Sequence, residues 1–121
     1  MVRKFYNIHG SIINLSLIRQ IIVDKDNKQL KIYFNTNYRI IYQFIQFDTW
    51  IELESVYKTL VHLIYNINDK LIIFEEGCFY IDEVYKIENN ENKTIKFSFN
   101  NNADVIVIPF DENIYNKIES W

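Results

Sequence analysis

Apolar and polar residues alternate one by one between residues 29 and 35. Leu30, Ile32 and Phe34 fall on one side, and Gln29, Lys31 and Tyr33 on the other. A period of two is what a half-buried β-strand imposes, because successive side chains leave opposite faces. The same alternation returns as Ile95, Phe97 and Phe99 against Thr94, Lys96 and Ser98. The segments that follow, 38–46 and 104–110, are apolar on both sides. Strands of that kind need cover on two faces. One repeat's helix covers one face, and the other must meet the second repeat or another molecule.

The period then lengthens. Leu53, Val56, Tyr57, Leu60, Val61 and Ile64 follow the i, i+3, i+4, i+7 stripe of an amphipathic helix. Thr49 with Glu52 three residues on predicts a capping box at its start, and Asp48 adds favourable negative charge there. Glu54 and Lys58 pair on the opposite face. A shorter helix follows Asp111, with Ile114, Tyr115 and Ile118 as its stripe; Trp121 is expected to pack back onto a sheet.

Set side by side, the two halves repeat. Leu30-Lys31-Ile32-Tyr33-Phe34-Asn35 recurs as Ile95-Lys96-Phe97-Ser98-Phe99-Asn100. Both copies stand between polar turns, and both later reach Phe-Asp, at Phe47-Asp48 and Phe110-Asp111, before a helix. Upstream, Leu15, Ile18 and Ile21 correspond to Ile81, Val84 and Ile87. Self-similarity on this scale predicts a duplicated structural unit. The expected architecture is α+β: two tandem repeats of three or four antiparallel strands followed by one helix, packed as one domain. Repeat 1 runs over about 1–66 and repeat 2 over about 71–121, within a single domain of 1–121, which suits a chain of 121 residues.

Composition changes this picture little. Ile occurs 22 times and Asn 15 times, and their A/T-rich codons point to an AT-rich genome. No run approaches the roughly 18 apolar residues that span a bilayer, and the N-terminus has no apolar signal core. The expected location is therefore cytoplasmic, with no membrane partner. Cys78 is the single cysteine, expected as a small buried hydrophobe.

Charge is unevenly spread. Residues 1–47 carry seven Lys/Arg against Asp24 and Asp26, a balance of +5, while residues 48–121 carry six against fourteen Asp/Glu, a balance of −8. Such asymmetry marks candidate binding surfaces. On the basic side Arg3, Lys4, Arg19, Lys31 and Arg39 interleave with Phe5, Tyr6, Tyr33, Tyr38 and Tyr42. Single-stranded nucleic acid uses that mixture, cations for phosphate and rings for base stacking. On the acidic side Glu75, Glu76, Asp82 and Glu83 offer negative charge to a basic protein groove.

Catalytic chemistry finds few candidates. His62 sits among Lys58 and Thr59 on the helix, and His9 beside Gly10 at a turn, neither with metal-ligand spacing. Glu75-Glu76 and Asp82-Glu83 are adjacent pairs, whose side chains diverge in a strand. With only Gly10 and Gly77, no glycine-rich phosphate loop is built, and no Ser lies in a nucleophile elbow. The expectation is no enzyme, no cofactor, no metal and no catalytic residue.

The ββββα plan used twice resembles, in topology alone, the Whirly and PUR single-stranded nucleic-acid binders; half of a pleckstrin-homology-like roll gives a similar pattern. In general character the short, acidic, motif-poor chain looks like small phage or mobile-element inhibitors such as anti-CRISPR proteins. That resemblance implies a protein or ribonucleoprotein partner, a host defence nuclease, contacted through Glu75, Glu76, Asp82 and Glu83. The alternatives are a single-stranded nucleic-acid binder using Arg3, Lys4, Arg19, Lys31 and Arg39, and a structural or assembly subunit. A homodimer fits all three, since two-sided apolar strands can pair across a two-fold.

Overall fold

The alternating segment at residues 29–35 lies inside a five-stranded sheet. The computed structural model describes residues 2–36, 40–100 and 105–121. Tyr38 and Arg39, and Asp104 at the start of the expected 104–110 strand, lie outside them. The chain is α+β; among the described residues it has antiparallel sheets and two α-helices, and it divides into two units, residues 1–79 and 80–121.

In the first unit, β1 (Phe5–Ile8) and β2 (Ser11–Asn14) form an antiparallel hairpin. A 3₁₀ turn at Leu15–Leu17 leads into β3 (Ile18–Asp24), β4 (Gln29–Asn35) and β5 (Ile40–Gln46), a meander of neighbouring strands. Helix α1 (Trp50–Ile67) follows, then the short strands β6 (Leu71–Phe74) and β7 (Gly77–Tyr80). The sheet order is β5-β4-β3-β7-β6.

One face of this sheet is its core. Ile21, Val23, Leu30, Ile32 and Ile45 are buried there, and α1 buries Leu53, Leu60 and Ile64. Burying each such side chain contributes about 1.5–3 kcal/mol. The helix starts as expected: Thr49 Oγ1 accepts the Glu52 N–H at 3.1 Å, and Lys58 meets Glu54 at 2.9 Å. The Glu52 carboxylate, however, meets His9 Nε2 at 2.7 Å, and the His9 ring stands 5.0 Å from Phe47. The first hairpin's turn is thus tethered to the start of α1, and His9 is not isolated.

Cys78 faces the same core and is fully buried, as its type suggests. The Tyr57 hydroxyl, from α1, is turned toward its thiol without closing a well-formed hydrogen bond. Burial pushes the Cys78 thiol up to about 12 from its ordinary 9.0, and burial likewise raises Tyr57. A raised acid keeps its proton in the folded state after the unfolded chain has lost it. Stability should therefore fall as pH rises above about 9, with Cys78 contributing a slope of roughly 1.4 kcal/mol per pH unit until its folded value is reached. Urea denaturation at several alkaline pH values measures this slope, and Cys78→Ala should flatten it. An equal slope in that variant would contradict the assignment.

The second unit repeats the meander. A 3₁₀ turn at Ile81–Glu83 precedes β8 (Val84–Asn90), β9 (Thr94–Phe99) and β10 (Ile106–Pro109), in the order β10-β9-β8, and α2 (Glu112–Glu119) follows. Asp111 Oδ1 caps α2 by accepting the N–H groups of Asn113 at 2.9 Å and Ile114 at 3.2 Å. Trp121 stays partly exposed and lies against Lys117 of its own helix, the ammonium 5.5 Å from the ring.

Details of backbone match between the repeats. The register shifts between Ile18 and Gln20 in one copy and between Val84 and Lys86 in the other. Lys28 and Lys93 both take positive φ at the end of the turn before the second meander strand. Their carbonyls accept equivalent bonds, from Phe47 N–H at 2.9 Å and Phe110 N–H at 2.8 Å. In chain order β6–β7 opens the second repeat as β1–β2 opens the first. In space β7 pairs with β3, through Gln20↔Phe79, Ile21↔Cys78 and Ile22↔Gly77, so this hairpin completes the first unit's sheet.

Candidate binding surface

The face of the five-stranded sheet opposite α1 is built by the other half of the alternation. Register places three rows across it: Gln20, Tyr33 and Tyr42; Ile22, Lys31 and Phe44; Asp24, Gln29 and Gln46. Gln20 and Tyr33 are buried, whereas Tyr42 is 40 % and Phe44 61 % exposed. Within the chain β5 is thus left open on this face at Tyr42 and Phe44, the case in which the second cover would be another molecule. The strand is an edge strand among the described residues, so its outer side chains have a neighbouring strand on one flank only.

Cation and rings converge here. Lys31 Nζ sits 4.4 Å from the centroid of the Tyr42 ring. Tyr33 meets Tyr42 edge-on at 4.4 Å, which fixes the ring's plane. Gln29 Nε2 donates to Gln46 Oε1 at 2.8 Å, and Gln46 Nε2 to the Asn27 carbonyl at 2.7 Å, bracing the far end. Beside Phe44 an open groove of about 490 Å³ runs along Ile22, Asp24, Asp26, Lys31 and Glu76. Asp24 is occupied by its own turn: side-chain and backbone bonds from Asn27 hold its carboxyl below the usual range. Its charge is thus directed into the β3–β4 turn.

The second repeat supplies an internal comparison. Lys96 stands where Lys31 does, but Val107 replaces Phe44, Val105 replaces Tyr42, Ser98 replaces Tyr33 and Glu88 replaces Ile22. Lys96 and Lys86 both approach Glu88, at 4.0 and 3.6 Å. One copy thus presents rings around its lysine, and the other a small charge network.

The remaining sequence candidates are dispersed. Arg3 lies 5.5 Å from the Tyr6 ring and Lys4 5.7 Å from that of Phe5, a second basic–aromatic patch at the first hairpin. Arg19 is engaged structurally, its Nη1 donating to the carbonyls of Ser16 at 2.9 Å and Ile18 at 3.0 Å. Arg39 lies outside the described residues. Glu75 and Glu76 occupy the β6–β7 turn, where Glu75 meets Lys25 at 3.9 Å and the Glu76 carbonyl accepts the Val23 N–H. Asp82 and Glu83 follow β7 in the 3₁₀ turn of the second unit. Phe44 was absent from the sequence candidates. Its parity with Tyr42, opposite to buried Ile45, is the signal that could have found it.

No family model matches the chain, and no curated protein matches it. Among solved structures it is similar to the LytTr DNA-binding domain of a methyl-accepting/DNA response regulator from Bacillus cereus. The identity is 12 %, over 98 % of this chain and 94 % of that one, with a TM-score of 0.49. Among the described residues no helix is long and apolar enough to cross a membrane, and no three His, Cys, Asp or Glu side chains converge as metal ligands.

Proposed function

We propose that this chain is a non-enzymatic binding protein that takes single-stranded nucleic acid on the outer face of its first unit. The observation that carries this reading is the exposed pair Tyr42 and Phe44 flanking Lys31. Bases stack on such rings for about 1–3 kcal/mol each, without sequence preference, while a lysine takes the phosphate between them. The patch formed by Arg3, Lys4 and Phe5 adds cations and a ring on the same unit. With few cations, the affinity is modest and rests more on stacking than on charge.

Fluorescence anisotropy with labelled oligothymidylate at rising salt tests this. Binding should weaken with salt, because phosphate contacts release counterions, and Lys31→Glu should lower affinity about tenfold and reduce the salt slope by about 0.7. Binding unaffected by both salt and Lys31→Glu rejects the reading.

The acidity of residues 80–121, eight Asp/Glu against four Lys, favours a second reading. Here the chain is an inhibitor of the phage or mobile-element kind, anti-CRISPR in type, whose Asp82 and Glu83 in the second unit contact a basic nuclease or ribonucleoprotein. Cleavage assays with candidate nucleases distinguish it: inhibition lost on charge reversal at Asp82 and Glu83 supports it, and undisturbed cleavage across types counts against it.

A further inference from the structure

Among the described residues, strand β5 is a long, uncharged sheet edge. Edge strands invite pairing with another chain, and proteins guard them by shortness, charge or proline. The described edges of the other sheets are guarded: β1, β2 and β10 are only four residues long, β10 also carries Pro109, and β8 carries Lys86 and Glu88. At the opposite edge of the same sheet, β6 has only four residues. Strand β5, Ile40-Ile41-Tyr42-Gln43-Phe44-Ile45-Gln46, has seven residues and no charge, proline or glycine.

We infer that β5 pairs antiparallel with β5 of a second copy, across a two-fold axis at Gln43. The strand is complementary to itself in that register. Tyr42 falls opposite the second copy's Phe44, and Phe44 opposite its Tyr42, giving two aromatic cross-strand pairs on the outer face. Ile41 meets Ile45 on the other face, and Gln43 meets Gln43. The register opposes no like charges, since β5 carries none although the chain has a net −3, so nothing electrostatic at the strand itself resists a second copy. A two-fold isologous contact also closes the edge instead of propagating it.

The two sheets join into one, and the rows Lys31–Phe44 and Tyr42–Tyr33 continue across the seam. Four exposed rings then lie side by side between two Lys31 side chains. This consequence rests on the nucleic-acid reading above, whereas the dimer itself does not.

Sedimentation equilibrium without nucleic acid tests the dimer separately. The native chain should show twice the 14.7 kDa protomer mass. The double variant Y42K/F44K sets like charges opposite each other in both pairs and should halve that mass. The variant Y42K/F44E sets opposite charges there and should restore it, which separates loss of pairing from loss of folding. A native chain that stays monomeric at high concentration overturns the proposal, and so does a Y42K/F44E variant that behaves like Y42K/F44K. A dimer that binds no oligonucleotide leaves this inference standing and removes the functional reading instead.

Discussion

Gly77→Ala should destabilise the chain by about 3 kcal/mol or more, among the largest effects of any single methyl group. Gly77 lies on β7 opposite Ile22, and a Cβ there would collide with the Ile21 carbonyl. The obstacle is backbone, not the free end of a side chain. It also belongs to β3, which is paired on both flanks, with β4 and with β7. Relief therefore means breaking one of those ladders. Against a usual total of about 5–15 kcal/mol, the loss should lower the melting temperature by roughly 10 °C or more. Gly10→Ala is the control: nothing lies within 4 Å, and only its φ of +85° resists a side chain, for about 1 kcal/mol. Melts followed by circular dichroism give both values, and equal shifts would contradict the close approach of β7 to β3.

Phe97→Ala should cost a further large amount, about 3–5 kcal/mol. Phe97 is fully buried on β9, the central strand of the second unit, between Ile87 on β8 and Ile106 on β10 in register. Removing the ring leaves a cavity that paired strands on both flanks cannot close. Phe44→Ala removes the same ring from an exposed edge and should cost at most about 1 kcal/mol per chain, the scale of one aromatic cross-strand pair. Urea denaturation compares the two, and a similar cost for both would show that Phe44 serves the core and not a surface.

Much of this architecture was legible because it is local. Alternation marked β4 and β9, and the stripe from Leu53 to Ile64 marked α1. Thr49 and Asp111 cap as their spacing predicts. The repeat was legible because the same turn chemistry recurs, down to the equivalent bonds to the Lys28 and Lys93 carbonyls. What stayed hidden depends on distant partners. Nothing local says that β7 pairs with β3, since Ile22 and Gly77 are brought together only by the fold. Nor does the sequence near Thr49 show that Glu52 turns to His9 instead of completing its capping box.

The site was legible in its residue types but not in its arrangement. Arg19 reads as a phosphate ligand, yet its guanidinium spans two carbonyls beside a 3₁₀ turn. Tyr33 and Tyr42 read alike in sequence, yet one is buried and the other half open, because only β5 lies at the edge. Phe44 reads as core in an apolar strand, and edge position alone exposes it.

The repeat provides its own control for binding on the face of the first unit opposite α1. Oligothymidylate binding should be compared for the native chain, Y42A/F44A, and V105A/V107A, which changes the equivalent positions of the second unit. Y42A/F44A should lose at least about tenfold in affinity, two stacking contacts being removed, while V105A/V107A binds as the native chain does. Equal binding by all three, or a loss confined to V105A/V107A, would contradict binding on that face.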